Sequence, residues 1–204
     1  MPTRAAGARP ALHDINPSLG RKQRIASLVL KMSVSLDGYV ASVDGSADWK
    51  AAGRSNDSTS WVVETVSNAR AHLVGATTYA EWAGYWPGAS GPFAKAMNEI
   101  PKVVFSNSLA SADWGETEIA AGDLAEAITR LKRERPDGYL LAQGGARFAR
   151  SLVQTGLIDE YRLVVHPVVL GAGERLFNAP HTIESTSTTA FSGGAVAHVF
   201  AARL

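Results

Sequence analysis

The chain has 204 residues, 46% of them hydrophobic and 19% charged, so it is long enough to form one domain with a complete apolar core. Twenty basic residues against nineteen acidic ones give a formal net charge of +1. This balance argues against a nucleic-acid-binding or membrane-surface protein, because such proteins carry a basic face. The sequence contains no cysteine, which excludes disulfides, thiolate metal sites and cysteine nucleophiles.

The first 24 residues are rich in arginine and show no pattern of a buried element. We predict that residues 1–24 form a flexible N-terminal extension, with a transit peptide as the alternative. The longest apolar run that follows, residues 25–30, is too short to span a bilayer or to form a signal core. We therefore expect a cytoplasmic protein in which residues 25–204 form one domain.

Short apolar segments alternate with segments that have helical spacing along this domain. Strands are predicted at 27–35, 71–75, 102–106, 138–142 and 160–170, and helices at 58–70, 123–133 and 146–155. Two final strands, at about 182–189 and 195–201, are predicted to pair antiparallel. The order predicts an α/β fold: a mixed, mostly parallel central sheet with helices on both faces and an antiparallel C-terminal hairpin. Pro167 lies inside one predicted strand and indicates an edge position or a bulge there.

Small and hydroxyl residues follow three of the predicted strands. Gly144 and Gly145 lie between a strand and a helix, Gly75 precedes two threonines, and Ser106 precedes an asparagine. Ligands in such sheets bind beyond the carboxyl ends of the strands, where helix N-termini attract phosphate. The three loops together indicate a groove for a phosphorylated cofactor. Taken singly, each is also explained by a tight turn or a helix N-cap.

The whole pattern resembles a known superfamily. The segments SVSLDGYVA, LVGATTYAEW, VVFSNSL, LAQGGARFARSLVQTGLIDEY and VVHPVVLGAGERLF occur in this order. They resemble the dihydrofolate reductase-like superfamily, most closely the C-terminal reductase domain of the riboflavin-biosynthesis protein RibD and its stand-alone bacterial relatives. The resemblance covers residues 25–204 and implies an NADPH-dependent oxidoreductase that reduces a small heterocyclic or imine-type substrate. It also implies a homodimer, and a nucleotide-binding module without turnover is the alternative.

The resemblance implies a set of cofactor-binding residues. It places Val40 and Ala41 near the nicotinamide amide, Gly75, Thr77 and Thr78 in a phosphate loop, Ser106 and Asn107 at the 2′-phosphate, and Gly144, Gly145, Ala146 and Arg147 around the pyrophosphate. Many relatives carry an arginine directly after the glycine of the phosphate loop, where this chain has Ala76. This departure leaves the preference for NADPH over NADH open.

Three residues are candidates for the chemistry. Asp57 matches the acid that polarises the substrate in folate reductases, or else it is the N-cap of the helix predicted from Ser58. Asp37 begins a glycine-containing flap or an ordinary hairpin, and Trp49 either closes over a flat ring or belongs to the core. The histidines have no metal-binding spacing, so no metal is expected, and His166 is interpreted as structural.

Overall fold

The computed structural model describes residues 25–202, so the extension predicted for residues 1–24 lies outside the described residues. The strands are β1 (Ser27–Ser35), β2 (Tyr39–Ala41), β3 (Ala71–Gly75), β4 (Lys102–Phe105), β5 (Thr117–Ala120), β6 (Tyr139–Gln143), β7 (Glu160–His166), β8 (Glu174–Arg175), β9 (Ile183–Ala190) and β10 (Val196–Ala202). The α-helices are α1 (Asn56–Ser67), α2 (Ala76–Tyr85), α3 (Pro92–Glu99), α4 (Leu124–Glu134) and α5 (Ala146–Thr155).

One eight-stranded sheet organises the molecule, in the order β5-β4-β3-β6-β1-β7-β10-β9. The six strands from β5 to β7 are parallel, and β10 runs antiparallel to both β7 and β9. A separate two-stranded sheet pairs β2 with β8. The predicted fold class, a mostly parallel sheet that ends in an antiparallel hairpin, is confirmed.

Each face of the large sheet is covered by its own helices. Strand β1 alternates, with Leu28 and Leu30 in the apolar cluster that includes α4 and α5, and Val29 in the cluster that includes α1, α2 and α3. Successive side chains of a strand point to opposite faces, so Lys31 projects to the same side as Val29. A lysine in a strand with apolar neighbours is thereby directed toward the α1–α3 layer.

The structure corrects the prediction for residues 160–170. Strand β7 ends at His166, so Pro167 lies after the strand. The strand is paired along its length with β1 on one side and β10 on the other, which makes it an interior strand of the sheet. The predicted edge or bulged strand is wrong because the apolar run continues past the strand into a loop, where Leu36 donates a backbone hydrogen bond to Val168.

Within residues 25–202, no helix has the length and apolar character needed to cross a membrane.

Candidate active site

The carboxyl ends of the parallel strands β3 and β6 meet at one edge of the sheet, and a helix follows each. Helix α2 has Gly75 as its N-cap, and α5 has Gly145. Glycine has no side chain, so neither N-cap residue makes a side-chain hydrogen bond to its helix. The first N–H groups of both helices are therefore left without a capping side chain, which is the arrangement in which helix N-termini bind anions.

The two adjacent glycines between β6 and α5 have a packing role. Gly144 and Gly145 have φ of +71° and +67°, a region that glycine adopts without strain. A Cβ at Gly145 would lie 2.7 Å from Oγ1 of Thr78, and one at Gly144 would lie 2.9 Å from the Trp82 ring. The pair thus lets the β6–α5 corner approach α2 closely, whether or not a phosphate also binds there.

The loop after β4 is held by its own side chains. The Ser106 hydroxyl accepts hydrogen bonds from the backbone N–H groups of Ser108 and Leu109, at 3.2 and 3.0 Å. The Asn107 side-chain oxygen accepts one from the Gly122 N–H at 2.8 Å. These contacts tie the β4 and β5 loops together. Thr77 and Arg147, in the first turns of α2 and α5, are exposed at the same edge.

A cavity of about 540 Å³ opens beside this edge, between β1, β6, β7 and the α1–α3 layer. Gly144 lines it, so the cavity adjoins the N-terminus of α5. Its lining includes three cations (Lys31, Lys50 and Arg54) and four aromatic side chains (Trp82, Tyr85, Trp86 and Phe93). Among the described residues that line it, none carries a carboxylate. The cavity suits a flat molecule with acceptor or anionic groups.

Lys31 is the titratable group on the β1 wall of this cavity. Burial, with a smaller effect from the charge of Lys50, lowers the pKa of Lys31 from 10.5 to about 8. An ammonium with such a pKa is still mostly protonated at pH 7, and it releases its proton more readily than an ordinary lysine. Lys31 can therefore act as a proton donor inside the cavity.

The predicted acid Asp57 has structural contacts. Helix α1 begins at Asn56 with Ser55 as its N-cap, so the N-cap interpretation of Asp57 is wrong by two positions. The Asp57 carboxylate accepts hydrogen bonds from Ser55, Ser58 and Ser192, which join the start of α1 to the turn after β9. The bond from Ser55, with smaller contributions from Ser192 and Ser58, lowers the Asp57 pKa to about 2. Such a carboxylate is ionised at neutral pH.

Asp37 and Trp49 also lie outside the residues that line the cavity. The Asp37 carboxylate accepts hydrogen bonds from the Ser35 hydroxyl and from the N–H groups of Leu170 and Gly171, at 2.6, 3.1 and 2.7 Å. These bonds lower the Asp37 pKa to about 2, the Ser35 bond most. Trp49 packs edge-on against His166, with ring centroids 5.5 Å apart. Catalytic roles for Asp37, Trp49 and Asp57 stay predictions, and the structure does not bring the three together.

Val40 and Ala41 lie in the short strand β2. The Val40 side chain is 2% exposed and belongs to the core beside α4 and α5. Ala41 pairs with Glu174, and the loop before that residue approaches so closely that a Cβ on Gly173 would meet the Ala41 carbonyl. Cofactor binding by this segment would therefore use main-chain groups.

Lys31, Lys50 and Arg54 were not predicted as site residues from the sequence. One signal was available for Lys31, because a single lysine interrupts the apolar run SLVLKMSVS. No comparable signal marks Lys50 and Arg54, which reach the cavity from the turn before α1. Within residues 25–202, no group of three or more histidine, aspartate or glutamate side chains could hold a metal ion.

Comparisons with known proteins agree with this architecture. The family model of the RibD C-terminal domain matches residues 26–197. The chain is 28% identical over 189 residues to the uncharacterized protein YyaP of Bacillus subtilis (strain 168), covering 88% of this chain and 95% of YyaP. It is 34% identical over 154 residues to the uncharacterized protein YwjB of the same organism, covering 74% and 82%.

Two solved structures illustrate the shared fold. A putative riboflavin biosynthesis protein from Shewanella sp. PV-4 superposes with a TM-score of 0.71 at 19% identity, covering 87% of this chain and 99% of that protein. A deaminase and 5-amino-6-(5-phosphoribosylamino)uracil reductase from Thermotoga maritima superposes with a TM-score of 0.64 at 18% identity. The match covers 88% of this chain and 57% of that protein.

Proposed function

The chain belongs to the RibD C-terminal domain family, and on that premise we propose that it is an NADPH-dependent reductase of a flat nitrogen heterocycle or imine. The observation that carries the proposal is the position of Gly144, which connects the cavity with the N-terminus of α5. This residue lines the cationic, aromatic cavity and directly precedes the N-cap of α5. A dinucleotide bound at the helix could thus present one end to a substrate in the cavity.

The residues present fit such a cofactor. The N-termini of α2 and α5 lack capping side chains and open to one sheet edge, so their N–H groups are available to a diphosphate. Arg147 is exposed in the first turn of α5 and can add a charge-assisted contact. Ser106 and Asn107 already hold their loop, so contacts there would come from the loop main chain or from remaining lone pairs.

NADPH, when bound, supplies a hydride to an electron-poor carbon or imine. The chain's own contribution is orientation, exclusion of water and a proton. The aromatic side chains Trp82, Trp86 and Phe93 form walls against which a planar ring can pack. Lys31 holds a proton at Nζ on the cavity wall, and we propose that it delivers this proton to the substrate nitrogen as reduction proceeds.

Cofactor binding is tested by titrating the purified protein with NADPH and NADH and following cofactor fluorescence. Arg147→Glu should weaken NADPH binding about tenfold or more, because a charge-assisted contact becomes a repulsion. The matched control is Arg133→Glu, which reverses an exposed arginine in the last turn of α4. If neither cofactor binds to the wild-type protein, the reductase proposal is wrong.

Turnover is tested by following the nicotinamide absorbance with dihydropterins, quinones, imines and aminopyrimidines. With an active substrate, Lys31→Met should lower kcat about 100-fold, the usual scale of general acid catalysis, without weakening NADPH binding. Asp57→Asn tests the predicted acid in the same assay, and unchanged turnover would remove Asp57 from the mechanism. A Lys31→Met enzyme with full activity would remove Lys31 from the mechanism. Cofactor binding without turnover on any substrate class would instead favour a nucleotide-binding module.

A further inference from the structure

His166 carries a polar atom that the fold leaves unused. The residue is the last of β7, is 6% exposed and lines the cavity. Its Nδ1 lies 2.8 Å from the carbonyl oxygen of Ala52. Nε2 is buried and has no hydrogen-bond partner among the described residues. A buried polar atom without a partner is costly unless a ligand or water satisfies it.

The contact with Ala52 fixes the chemical character of the free nitrogen. A carbonyl oxygen can only accept, so Nδ1 must donate and carries the ring proton. Burial lowers the pKa of His166, and the nearby cations Lys31, Lys50 and Arg54 add to the shift. The ring is therefore neutral at pH 7, which leaves Nε2 as a bare lone pair that accepts hydrogen bonds.

The surroundings of this acceptor define what it can bind. The charged side chains of the lining are three cations, which are donors, and its hydroxyl and amide groups can donate as well as accept. Lys31 lies on β1, the strand next to β7, opposite Arg162. A ligand that satisfies both kinds of group carries an N–H for Nε2 and, on the same ring, a carbonyl or another acceptor for the cations. The edge-on packing of Trp49 holds the imidazole plane, so the acceptor direction is fixed before a ligand arrives.

We infer that Nε2 of His166 is a specificity-determining acceptor that selects substrates with an N–H donor next to a carbonyl, as in a cyclic lactam. The inference rests on the proposed function in taking this cavity as the substrate site. From the sequence, His166 was interpreted as structural only. His166 has two separable tasks, since Nδ1 anchors the turn at Ala52 and Nε2 contacts the ligand.

The experiment uses one probe pair, quinazolin-4(3H)-one and 3-methylquinazolin-4-one. The two differ by a methyl group that replaces the lactam N–H. Binding is followed by quenching of tryptophan fluorescence, because Trp82 and Trp86 line the cavity. The wild-type protein should prefer the N–H compound on the order of tenfold, the effect of a hydrogen bond to a buried acceptor.

Two variants separate the tasks of the imidazole. The side-chain amide of Asn in His166→Asn can replace Nδ1 and keep the bond to Ala52, while the Nε2 acceptor is lost. The longer Gln in His166→Gln can place an acceptor near the Nε2 position but does not reproduce Nδ1. His166→Asn should bind both compounds with nearly equal affinity, so the preference for the N–H compound is lost. His166→Gln should retain most of this preference.

Three results would overturn the inference: no binding of the N–H compound to the wild-type protein, equal affinities for the pair, or a preference that survives in His166→Asn. NADPH titration of the same samples keeps this outcome separate from the proposed function. Normal NADPH binding without a preference for the N–H compound would disprove the role of His166 and leave the reductase proposal intact. A clear preference without NADPH binding defeats the reductase proposal and leaves the acceptor role standing.

Discussion

Replacing His72 with leucine should remove a large part of the pH dependence of stability between pH 7 and pH 5. His72 lies in β3, is fully buried and packs 5.2 Å from the Trp82 ring, measured between centroids. Burial, followed by the charge of Lys102, lowers its pKa from 6.5 to about 3. The imidazole therefore stays neutral in the folded protein throughout this range.

The sign follows from comparing proton uptake in the two states. Below pH 6.5 the unfolded chain binds a proton at His72 and the folded chain does not, so stability falls as the pH falls. Linkage with a pKa of 6.5 unfolded and about 3 folded gives a loss of about 2 kcal/mol between pH 7 and pH 5. His166 acts in the same direction, so the wild-type loss should exceed this value.

Other groups with shifted pKa values affect stability outside the range from pH 5 to pH 7. Asp37 and Asp57 have pKa values of about 2, so their contribution is lost only as the pH falls below about 4. Lys31 and Lys102 have pKa values of about 8, so the folded state releases their protons near and above pH 8. Between pH 5 and pH 7 the histidines therefore dominate the slope.

The assay is urea unfolding followed by circular dichroism at pH 5, 6 and 7. Leucine has a volume close to that of histidine and is suited to the apolar environment of the strand. His72→Leu should lose about 2 kcal/mol less than the wild-type protein between pH 7 and pH 5. His198→Leu, which removes a partly exposed imidazole, is the matched control. An identical slope for wild-type protein and His72→Leu would refute the reasoning.

Three further outcomes are expected. Gly145→Ala should lower the free energy of unfolding by about 1–3 kcal/mol, because φ is +67° and the new Cβ would lie 2.7 Å from Thr78 Oγ1. Chemical denaturation measures the loss. Adding Thr78→Ala should recover part of it. Asp159→Asn should lower the free energy of unfolding by about 1–3 kcal/mol in the same assay, because the Asp159 carboxylate accepts hydrogen bonds from Lys132 and from the Leu28 N–H, each at 2.6 Å. An unchanged free energy would mean that these two hydrogen bonds do not stabilise the fold. Asp37→Asn should speed amide hydrogen exchange at Gly171, because this N–H donates to the Asp37 carboxylate at 2.7 Å. Unchanged exchange would contradict a protective role for this hydrogen bond.

The sequence alone determined the fold class, because the signals for it are local, although α2, α3 and β5 were not among the predicted elements. Apolar runs such as 71–75 and helical spacing such as 146–155 specify elements by their own periodicity, and the observed bounds agree within a few residues. The order of elements then restricts the sheet to a mostly parallel one. Strands that form only by pairing with a distant segment, such as β2 with β8, show no recognisable periodicity in the sequence.

Only the tertiary structure decided which polar residues share a site. Lys31, His166 and Arg54 are far apart in the chain and meet because β1, β7 and the turn before α1 converge on one cavity. Asp57 and Asp37 look like acids in sequence, yet each is bound by neighbouring hydroxyl and amide donors that hold it ionised. Burial and hydrogen-bond partners set the character of a titratable group, and both are properties of the packed fold.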